Sequence, residues 1–351
     1  MASIAPDISF LASYVRGQHS KLLSVNDFES LINKHYEAFI NDIMSFEIGA
    51  ILRTDQSYKS HQIESFLTRR LLDQQLFIMK NSPSWAKRLI ESYTIKYEVM
   101  NLQRISRYLY SKTNVNLRDI VNLSAQEMLG RTAFIAKLVQ CKDLAEFLDV
   151  LKTSEYKNEI EVAENIFANV GDIWPIEFAL DSYFLKQLLN EALKLPRSQK
   201  TGALTFVNFE LMTNLILVIL KADFIEVDVS EALELLPLPK NIPFHRQLKI
   251  MMTNPSLKID LEILRSFKSD KINKGIQSYE NDNMFLHIEI AVRARELELL
   301  KKVFYEDFGI LSILSYLKQY EIQIQDINKL LYLKEYKFPI EKTRELIVNL
   351  V

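Results

Sequence analysis

Glycine is scarce in this sequence, with only 7 residues among 351. Average usage of roughly 7% would give several times more. Phosphate-binding loops, tight hairpins and β-bulges all need the backbone freedom of glycine, and neither a G-x-x-x-x-G-K nor a G-x-G-x-x-G pattern occurs. The sequence therefore argues against Rossmann, P-loop and all-β folds.

Cysteine is nearly absent as well. The single Cys141 excludes an internal disulfide and a cysteine-based metal cluster. It fits a half-buried apolar residue better than a nucleophile, because no histidine is near it in the sequence. The five histidines include no i,i+4 pair and no H-E-x-x-H motif, and the G-x-S-x-G elbow of serine hydrolases is missing. We therefore predict no catalytic site, no metal site and no cofactor.

Neither sign of charge is in large excess, and no apolar stretch is long. The 43 basic and 45 acidic residues give a formal net charge of −2, whereas nucleic-acid binders usually carry a clear basic excess. The most apolar run, Leu215–Leu220, is far shorter than the ~20 residues that span a bilayer, and residues 1–6 do not resemble a signal peptide. We therefore predict a cytoplasmic protein that binds no nucleic acid and reaches a membrane only through another protein.

Helical periodicity dominates what is present. In Ser60–Lys80, apolar residues at helical spacing form one face, and a narrower second apolar face accompanies it. This helix is predicted to pack between neighbours. A longer helix is predicted from about Trp85 to Tyr110, and its buried face should use Leu89, Tyr93, Tyr97, Met100, the stem of Arg104 and Tyr108.

Prolines mark several boundaries of the other predicted elements. Pro175 stands at a helix start, its favoured place, and Pro196 ends that helix. Three prolines mark a linker further on: Pro237, Pro239 and Pro243. The remaining predicted helices are Asp143–Leu151, Thr205–Ala222, Phe244–Met252, Leu257–Phe267, Met284–Tyr305, Leu311–Tyr320, Ile324–Tyr336 and Ile340–Asn349. Only Val227–Val229 could be extended, so the fold class is predicted to be all-α.

Three helical segments are loosely alike. Asn101, Asn214 and Asp326 occupy the matching position, at spacings of 113 and 112 residues. In the first segment Glu98 precedes Asn101 by three residues, which places both on one helix face. The near-equal spacing predicts an internal triplication with helical repeats at residues 1–115, 116–225 and 226–351. Three ordinary helices that share common residue types are the alternative.

Three stretches together resemble a known family: Tyr14–Ser24 with Asp27–Leu31, Tyr97–Ile105, and Leu314–Glu321 with Phe338–Leu346. Their order is similar to that in the C subunit of archaeal-type (A/V-type) rotary ATPases, which is similar to the d subunit of eukaryotic vacuolar ATPases. The resemblance covers essentially the whole chain, and the middle third carries the least of it. The matching positions are Tyr14, Arg16, Leu23, Glu98, Asn101, Asn214, Tyr316 and Glu321.

The chain departs from the family pattern of an acid, two residues and then Asn in two of its three repeats. Glu98 and Asn101 match the pattern. Leu211 occupies the acid position of the second repeat, and Gln323 and Asp326 replace the pair in the third. The resemblance therefore carries the full pair over to the first repeat only.

The resemblance implies three similar helical bundles around a pseudo-threefold axis, which form a funnel with a central cavity. It implies a non-catalytic adaptor, peripheral on the cytoplasmic face of the membrane. This adaptor would hold the foot of the central stalk on the proteolipid ring, so that torque passes between these two partners during ATP-linked ion transport. Contact positions are predicted near Arg16, Arg104 and Arg107, each of which could equally be a surface cation or an intramolecular partner for an acid.

Two other interpretations stay open at this point. One is a helical scaffold of another kind, such as an α-solenoid adaptor, although solenoid units of ~20–45 residues are far shorter than the repeats proposed here. The other is an enzyme that uses Asp, Glu and Tyr on helices, which would need a pocket with strongly perturbed carboxylates.

Overall fold

The computed structural model describes residues 8–50, 52, 58–112, 121–224, 233, 250 and 257–351. None of these residues forms a strand, and most lie in helices, which confirms the all-α prediction. The segment Val227–Val229 and the proline linker lie outside the described residues. The same is true of the predicted helix Phe244–Met252, apart from Ile250.

Sixteen α-helices follow one another along the described residues. The first five are α1 (Ile8–His19), α2 (Val25–Asn33), α3 (Tyr36–Ser45), α4 (Ser60–Lys80) and α5 (Ser84–Ser111), with a 3-10 turn at Glu47–Gly49. The next six are α6 (Ser124–Leu129), α7 (Thr132–Val139), α8 (Leu144–Lys152), α9 (Lys157–Val170), α10 (Trp174–Leu193) and α11 (Arg197–Phe224). The last five are α12 (Leu257–Arg265), α13 (Asp270–Asp282), α14 (Leu286–Glu306), α15 (Ile310–Glu335) and α16 (Ile340–Glu345).

Local side-chain chemistry explains several helix starts. Ser24 and Asp27 form a reciprocal capping box at α2, in which the Ser24 amide donates to Asp27 Oδ2 at 2.7 Å. Asp143 caps α8 by accepting from the Glu146 amide at 2.9 Å. Pro175 lies in the first turn of α10, as predicted. The bounds of α4 and α5 agree with prediction to within one residue.

The prediction of separate helices at Leu311–Tyr320 and Ile324–Tyr336 was wrong. The two form one continuous helix, α15, in which every residue from Ile310 to Ile324 is buried. A helix buried on all sides has no single apolar stripe, so periodicity gives no reason to continue it. The predicted helix Ile340–Asn349 ends early, at Glu345, because the following residues turn and pack Val348 against α14 and α15.

The order of helices recurs along the chain. Each recurrence has a nine-residue helix (α2, α8, α12), then a helix of 10 to 14 residues (α3, α9, α13), one of 20 or 21 (α4, α10, α14) and one of 26 to 28 (α5, α11, α15). The longest helices begin at Ser84, Arg197 and Ile310, with 113 residues between successive starts. The predicted boundaries after residues 115 and 225 fall just beyond the ends of the first two. The threefold spatial arrangement and the funnel stay predictions.

The chain divides into two compact units. The first comprises Met1–Pro83, Thr201–Phe209 and Ser256–Val351. Within it, α15 packs against α14 and against three helices from the opposite end of the chain, α1, α3 and α4. Helix α13 lies very close to α14, because a Cβ at Gly275 would come within 2.3 Å of the Ala291 Cβ. The C-terminal segment fills a groove lined by Ile290, Ala294, Leu297 and Ile322.

The second unit comprises Ser84–Lys200 and Glu210–Pro255. Its centre is the long helix α5, which packs against α10 and against the short helices α6, α7 and α8. Helix α10 also packs against α9. The largest fully buried side chains of this unit include Tyr93, Phe147 and Tyr156. Its core is thus built around aromatic residues of α5, α8 and the connection between α8 and α9.

One helix among the described residues, Arg197–Ala222, is long and apolar enough to cross a membrane. Most of its apolar window is buried inside the molecule, at 61%. The core helix of a soluble protein meets the same length and composition test, so this is weak evidence for a membrane span.

Candidate interface positions and buried polar clusters

Glu98 lies at the centre of a buried polar cluster in the second unit. Its side chain projects from α5 and is 2% exposed. The Tyr156 hydroxyl donates to Oε1 at 2.7 Å, and Arg131 Nε donates to Oε2 at 2.7 Å. Arg131 also pairs with Glu155, with 2.6 Å between Nη2 and Oε1. These contacts fix α5 against the segments that follow it.

Burial dominates the electrostatics of this cluster. It raises the pKa of the Glu98 carboxyl, although the Tyr156 hydrogen bond and the Arg131 charge oppose the shift. Burial, followed by the neighbouring Glu98 charge, also raises the pKa of Tyr156 well above its usual range. A paired, hydrogen-bonded acid of this kind is expected in a structural cluster, and every group in it is bound by another member.

Asn101 and Asp326 make the same kind of hydrogen-bonded contact with the backbone, each in a different unit. Asn101 Nδ2 donates to the Asn122 carbonyl at 2.6 Å, and its Oδ1 accepts from the Asn122 amide at 2.9 Å. Asp326 accepts from the amides of Val348 and Asn349 at 3.1 and 2.8 Å. In each case a buried side chain on a long helix holds backbone 21 to 23 residues further along the chain. We call these contacts the backbone clamps.

Asn214, which the sequence placed in one set with Asn101 and Asp326, makes a different kind of contact. Asn214 Nδ2 donates to the Glu210 carbonyl of its own helix at 2.8 Å. Leu211, which stands where the family has an acid, is buried at 1% exposure. A buried leucine needs no polar partner, so this position contributes apolar packing in place of a polar contact.

Tyr316 and Glu321 lie in the core of the first unit. Tyr316 is 2% exposed and stacks on Tyr320 with 5.9 Å between ring centroids. Burial raises the pKa of Tyr316 far above its usual range. Glu321 Oε1 lies 3.9 Å from Lys318 Nζ and accepts from Gln325 Nε2 at 3.0 Å. These two positions are therefore internal and do not present a contact surface.

Lys318 joins two buried acids, which the sequence did not reveal as a group. Its Nζ lies 3.8 Å from Glu296 Oε1 and 3.9 Å from Glu321 Oε1, and all three side chains are nearly inaccessible to solvent. Removing one partner of such a group leaves an uncompensated buried charge, so the three residues are expected to tolerate single substitutions poorly.

Arg16, predicted as a contact position, is turned inward. Its Nη2 donates to the carbonyls of Asp307 at 2.8 Å and Tyr305 at 3.3 Å, in the turn between α14 and α15. Two further predicted positions also make internal contacts. The Tyr14 hydroxyl donates to Gln74 Oε1 at 3.0 Å, and the Leu23 carbonyl accepts from Gln323 Nε2 at 3.2 Å.

Arg104 and Arg107 both project from α5. Arg107 is exposed, and its Nε pairs with Glu177 Oε1 of α10. Arg107 is thus an intramolecular partner for an acid, which was one of its two alternative roles. Arg104, in contrast, is half-buried. Whether either arginine also contacts another protein stays a prediction.

Two histidines, His19 and His287, make internal contacts. His19 stacks on Phe304 with 4.2 Å between ring centroids, and its Nε2 lies 3.1 Å from Gln319 Oε1. His287 is 6% exposed, with Nε2 2.8 Å from Asp282 Oδ2. Among the described residues, no group of three or more His, Cys, Asp or Glu side chains could hold a metal ion.

The described part of the chain is thus all-α, and buried polar side chains such as Glu98, Asn101 and Asp326 bind other side chains or the backbone. The family described as the ATP synthase (C/AC39) subunit matches residues 11–346. The chain belongs to this family, which confirms the resemblance found from the sequence motifs.

Two relatives agree with this assignment. The chain is similar to the C subunit of the A-type ATP synthase of Pyrococcus horikoshii, with 23% identity over 347 residues that cover 97% of this chain and 90% of the relative. It is also similar to the C subunit of the A-type ATP synthase of Pyrococcus abyssi, with 21% identity over 346 residues and the same coverage of both chains.

Proposed function

We propose that this protein is a non-catalytic adaptor in the central stalk of a rotary A/V-type ATPase. It couples the rotor shaft to the membrane proteolipid ring and transmits torque for ATP-linked ion transport. Its partners are the central-stalk subunits and the proteolipid ring, and it is peripheral on the cytoplasmic face of the membrane. The chemistry of ATP takes place in other subunits.

One observation carries the proposal within this family. The helix order recurs, and the longest helices start at intervals of 113 residues. A triplicated body with long helices suits a rotor part, because close-packed helices transmit strain with little deformation. The buried clusters around Glu98 and Lys318, together with the backbone clamps, add internal cross-links that favour stiffness.

The same period disfavours an α-solenoid adaptor. Solenoid units of ~20–45 residues stack so that each contacts only its neighbours. Here the recurring unit is longer, and in the first unit α15 packs against α1, α3 and α4 from the opposite end of the chain. Such contacts between sequence-distant helices are not those of a linear repeat array.

Co-purification tests the proposed function. The protein is tagged, expressed in place of the native copy, and recovered from native membranes in mild detergent at low salt. Quantitative mass spectrometry should find the proteolipid and the central-stalk subunits with it. An unrelated tagged cytoplasmic protein is the control. Recovery of the tagged chain without either partner would contradict the proposal.

A further inference from the structure

His19 lies where three helices of the first unit meet. It is the last residue of α1, and its ring stacks on Phe304 and meets the edge of Tyr305, with 4.2 and 5.7 Å between ring centroids. Both aromatic residues belong to the end of α14. On the α15 side, His19 Nε2 lies 3.1 Å from Gln319 Oε1. A single imidazole therefore joins α1 to both α14 and α15.

The polar partners of His19 fit the neutral form of its ring. When Nε2 carries the proton it donates to Gln319 Oε1, and the bare Nδ1 can accept from the Tyr305 hydroxyl, 3.5 Å away. In the imidazolium both nitrogens are donors, so Nδ1 can no longer accept. The geometry of the junction thus matches one protonation state better than the other.

Cations face His19 from two helices. Arg16 lies one turn earlier on α1, and its guanidinium carbon is 6.0 Å from the centre of the Phe304 ring on which His19 stacks. Lys301 lies one turn before Phe304 on the same face of α14. Burial lowers the pKa of His19; the hydrogen bond with Gln319 opposes this shift, and the Lys301 charge adds to it. The fold therefore disfavours a further positive charge on this ring.

The acids near the junction are turned away from His19 or bound by other groups. Glu306 follows Phe304 by two residues and so lies on the opposite face of α14, whereas Lys302, two residues before Phe304, lies on that opposite face as well. The Asp307 carboxylate accepts from two backbone amides at the start of α15, at 2.8 and 3.3 Å. On α15, the residues one turn to either side of Gln319 are uncharged. These positions offer no carboxylate that would stabilise an imidazolium.

We propose that His19 is a pH-sensitive latch, whose neutral ring holds the end of α1 against α14 and α15 and whose protonation at acidic pH loosens this contact. The proton comes from water and binds Nδ1, the nitrogen that is bare in the neutral form. Because the folded protein disfavours the imidazolium, the stabilisation is fully present above the ordinary histidine pKa and is lost as the pH falls towards the folded-state pKa. The inference goes beyond the proposed function, since it concerns a property of the chain by itself.

Hydrogen exchange of the purified full chain at pH 7.5 and pH 5.5 tests the latch. Each amide rate is divided by the intrinsic rate of an unstructured peptide at the same pH. On this scale the amides of residues 16–19 should exchange about threefold faster, or more, at pH 5.5. His19→Gln keeps a donor and an acceptor but does not titrate, so its exchange should not show this acid effect. His35→Gln is the matched control, because His35 is an exposed histidine of the same unit whose side chain makes no capping hydrogen bond. It should keep the wild-type acid effect.

An NMR titration measures the proton uptake itself. The imidazole signal of His19 is assigned by its absence from the spectrum of His19→Gln. In the folded wild type its midpoint should lie below the ordinary histidine value of ~6.5. Lys301→Met removes the neighbouring cation and should move this midpoint upwards, and the acid effect on exchange at residues 16–19 should become smaller. A histidine that only fills space would not respond to the charge at position 301.

Two results would overturn the latch. One is an acid effect at residues 16–19 that persists in folded His19→Gln, because another group would then be responsible for it. The other is a His19 midpoint at or above ~6.5 in the folded wild type, because protonation would then not weaken the contact. If His19→Gln does not fold, the titration of the wild type and the response of Lys301→Met decide the question.

Discussion

Asp326→Ala is expected to release the C-terminal segment from the first unit. The carboxylate is 0% exposed and accepts three hydrogen bonds, from the Val348 amide and from the amide and side chain of Asn349. Without it, buried donors lose their acceptor, at a cost of about 1–3 kcal/mol for each unsatisfied group. Burial raises the pKa of Asp326, so the cost of desolvating its carboxylate offsets part of the stabilisation from these hydrogen bonds. The free energy of local opening of the C-terminal segment should therefore fall by about 2–3 kcal/mol in Asp326→Ala.

Hydrogen exchange measures this opening directly. Since 1.4 kcal/mol corresponds to a factor of ten, the amides of Val348 and Asn349 should exchange roughly 30- to 150-fold faster in Asp326→Ala. Asp326→Asn keeps one acceptor oxygen, as Asn101 does in the other backbone clamp. Its amide exchange rates should lie between those of the wild type and those of Asp326→Ala. Asp73→Ala removes an exposed acid of α4 and should change exchange by about twofold or less.

A small effect would refute this reasoning. If the two amides exchange less than threefold faster in Asp326→Ala, the carboxylate does not hold the C-terminal segment. The parallel between Asp326 and Asn101 would then be a similarity of position without a shared task.

Three further predictions follow from the two units. Gly275→Ala would force a Cβ to within 2.3 Å of the Ala291 Cβ and should destabilise the first unit by about 1–3 kcal/mol. Gly17→Ala has nothing within 4 Å of the added Cβ and should instead stabilise α1 by about 0.5 kcal/mol. Urea unfolding of both variants checks these opposite signs. Because burial raises the folded-state pKa of Glu98, its contribution to stability is present below the ordinary pKa and is lost as pH rises towards the folded pKa. Glu98→Gln should remove this pH dependence of stability. Unfolding free energies of the wild type and of Glu98→Gln across a pH series measure it. Arg107→Ala should cost less than about 1 kcal/mol by thermal unfolding, because the arginine side chain is 59% exposed and water screens its ion pair. A larger loss of stability would mean that this pair stabilises the fold more than a surface ion pair does.

Local sequence signals predicted much of the helical structure. The apolar faces of Ser60–Lys80 and the proline at position 175 depend only on nearby residues, and both helices occur where predicted. The same local logic missed the continuity of α15, because a helix buried on every side lacks the polar face that periodicity needs.

The polar clusters could be predicted only in part. The spacing of Glu98 and Asn101 placed both on one face of α5, and both are buried there. Their partners Arg131 and Tyr156 carry no local signal, since those contacts join residues 33 and 58 positions apart. The contact of His19 with Gln319 joins residues 300 positions apart. Such pairs depend on tertiary packing, which a single sequence does not encode in any short pattern.

ATP-driven ion uptake into membrane vesicles tests the central claim most directly. Vesicles are prepared from cells that lack this protein, and uptake is measured beside ATP hydrolysis by the soluble sector. Coupling by a non-catalytic adaptor predicts that hydrolysis persists, that uptake is lost, and that adding back the purified protein restores uptake. Uptake at the wild-type rate without the protein, or loss of hydrolysis by the soluble sector itself, would contradict the account.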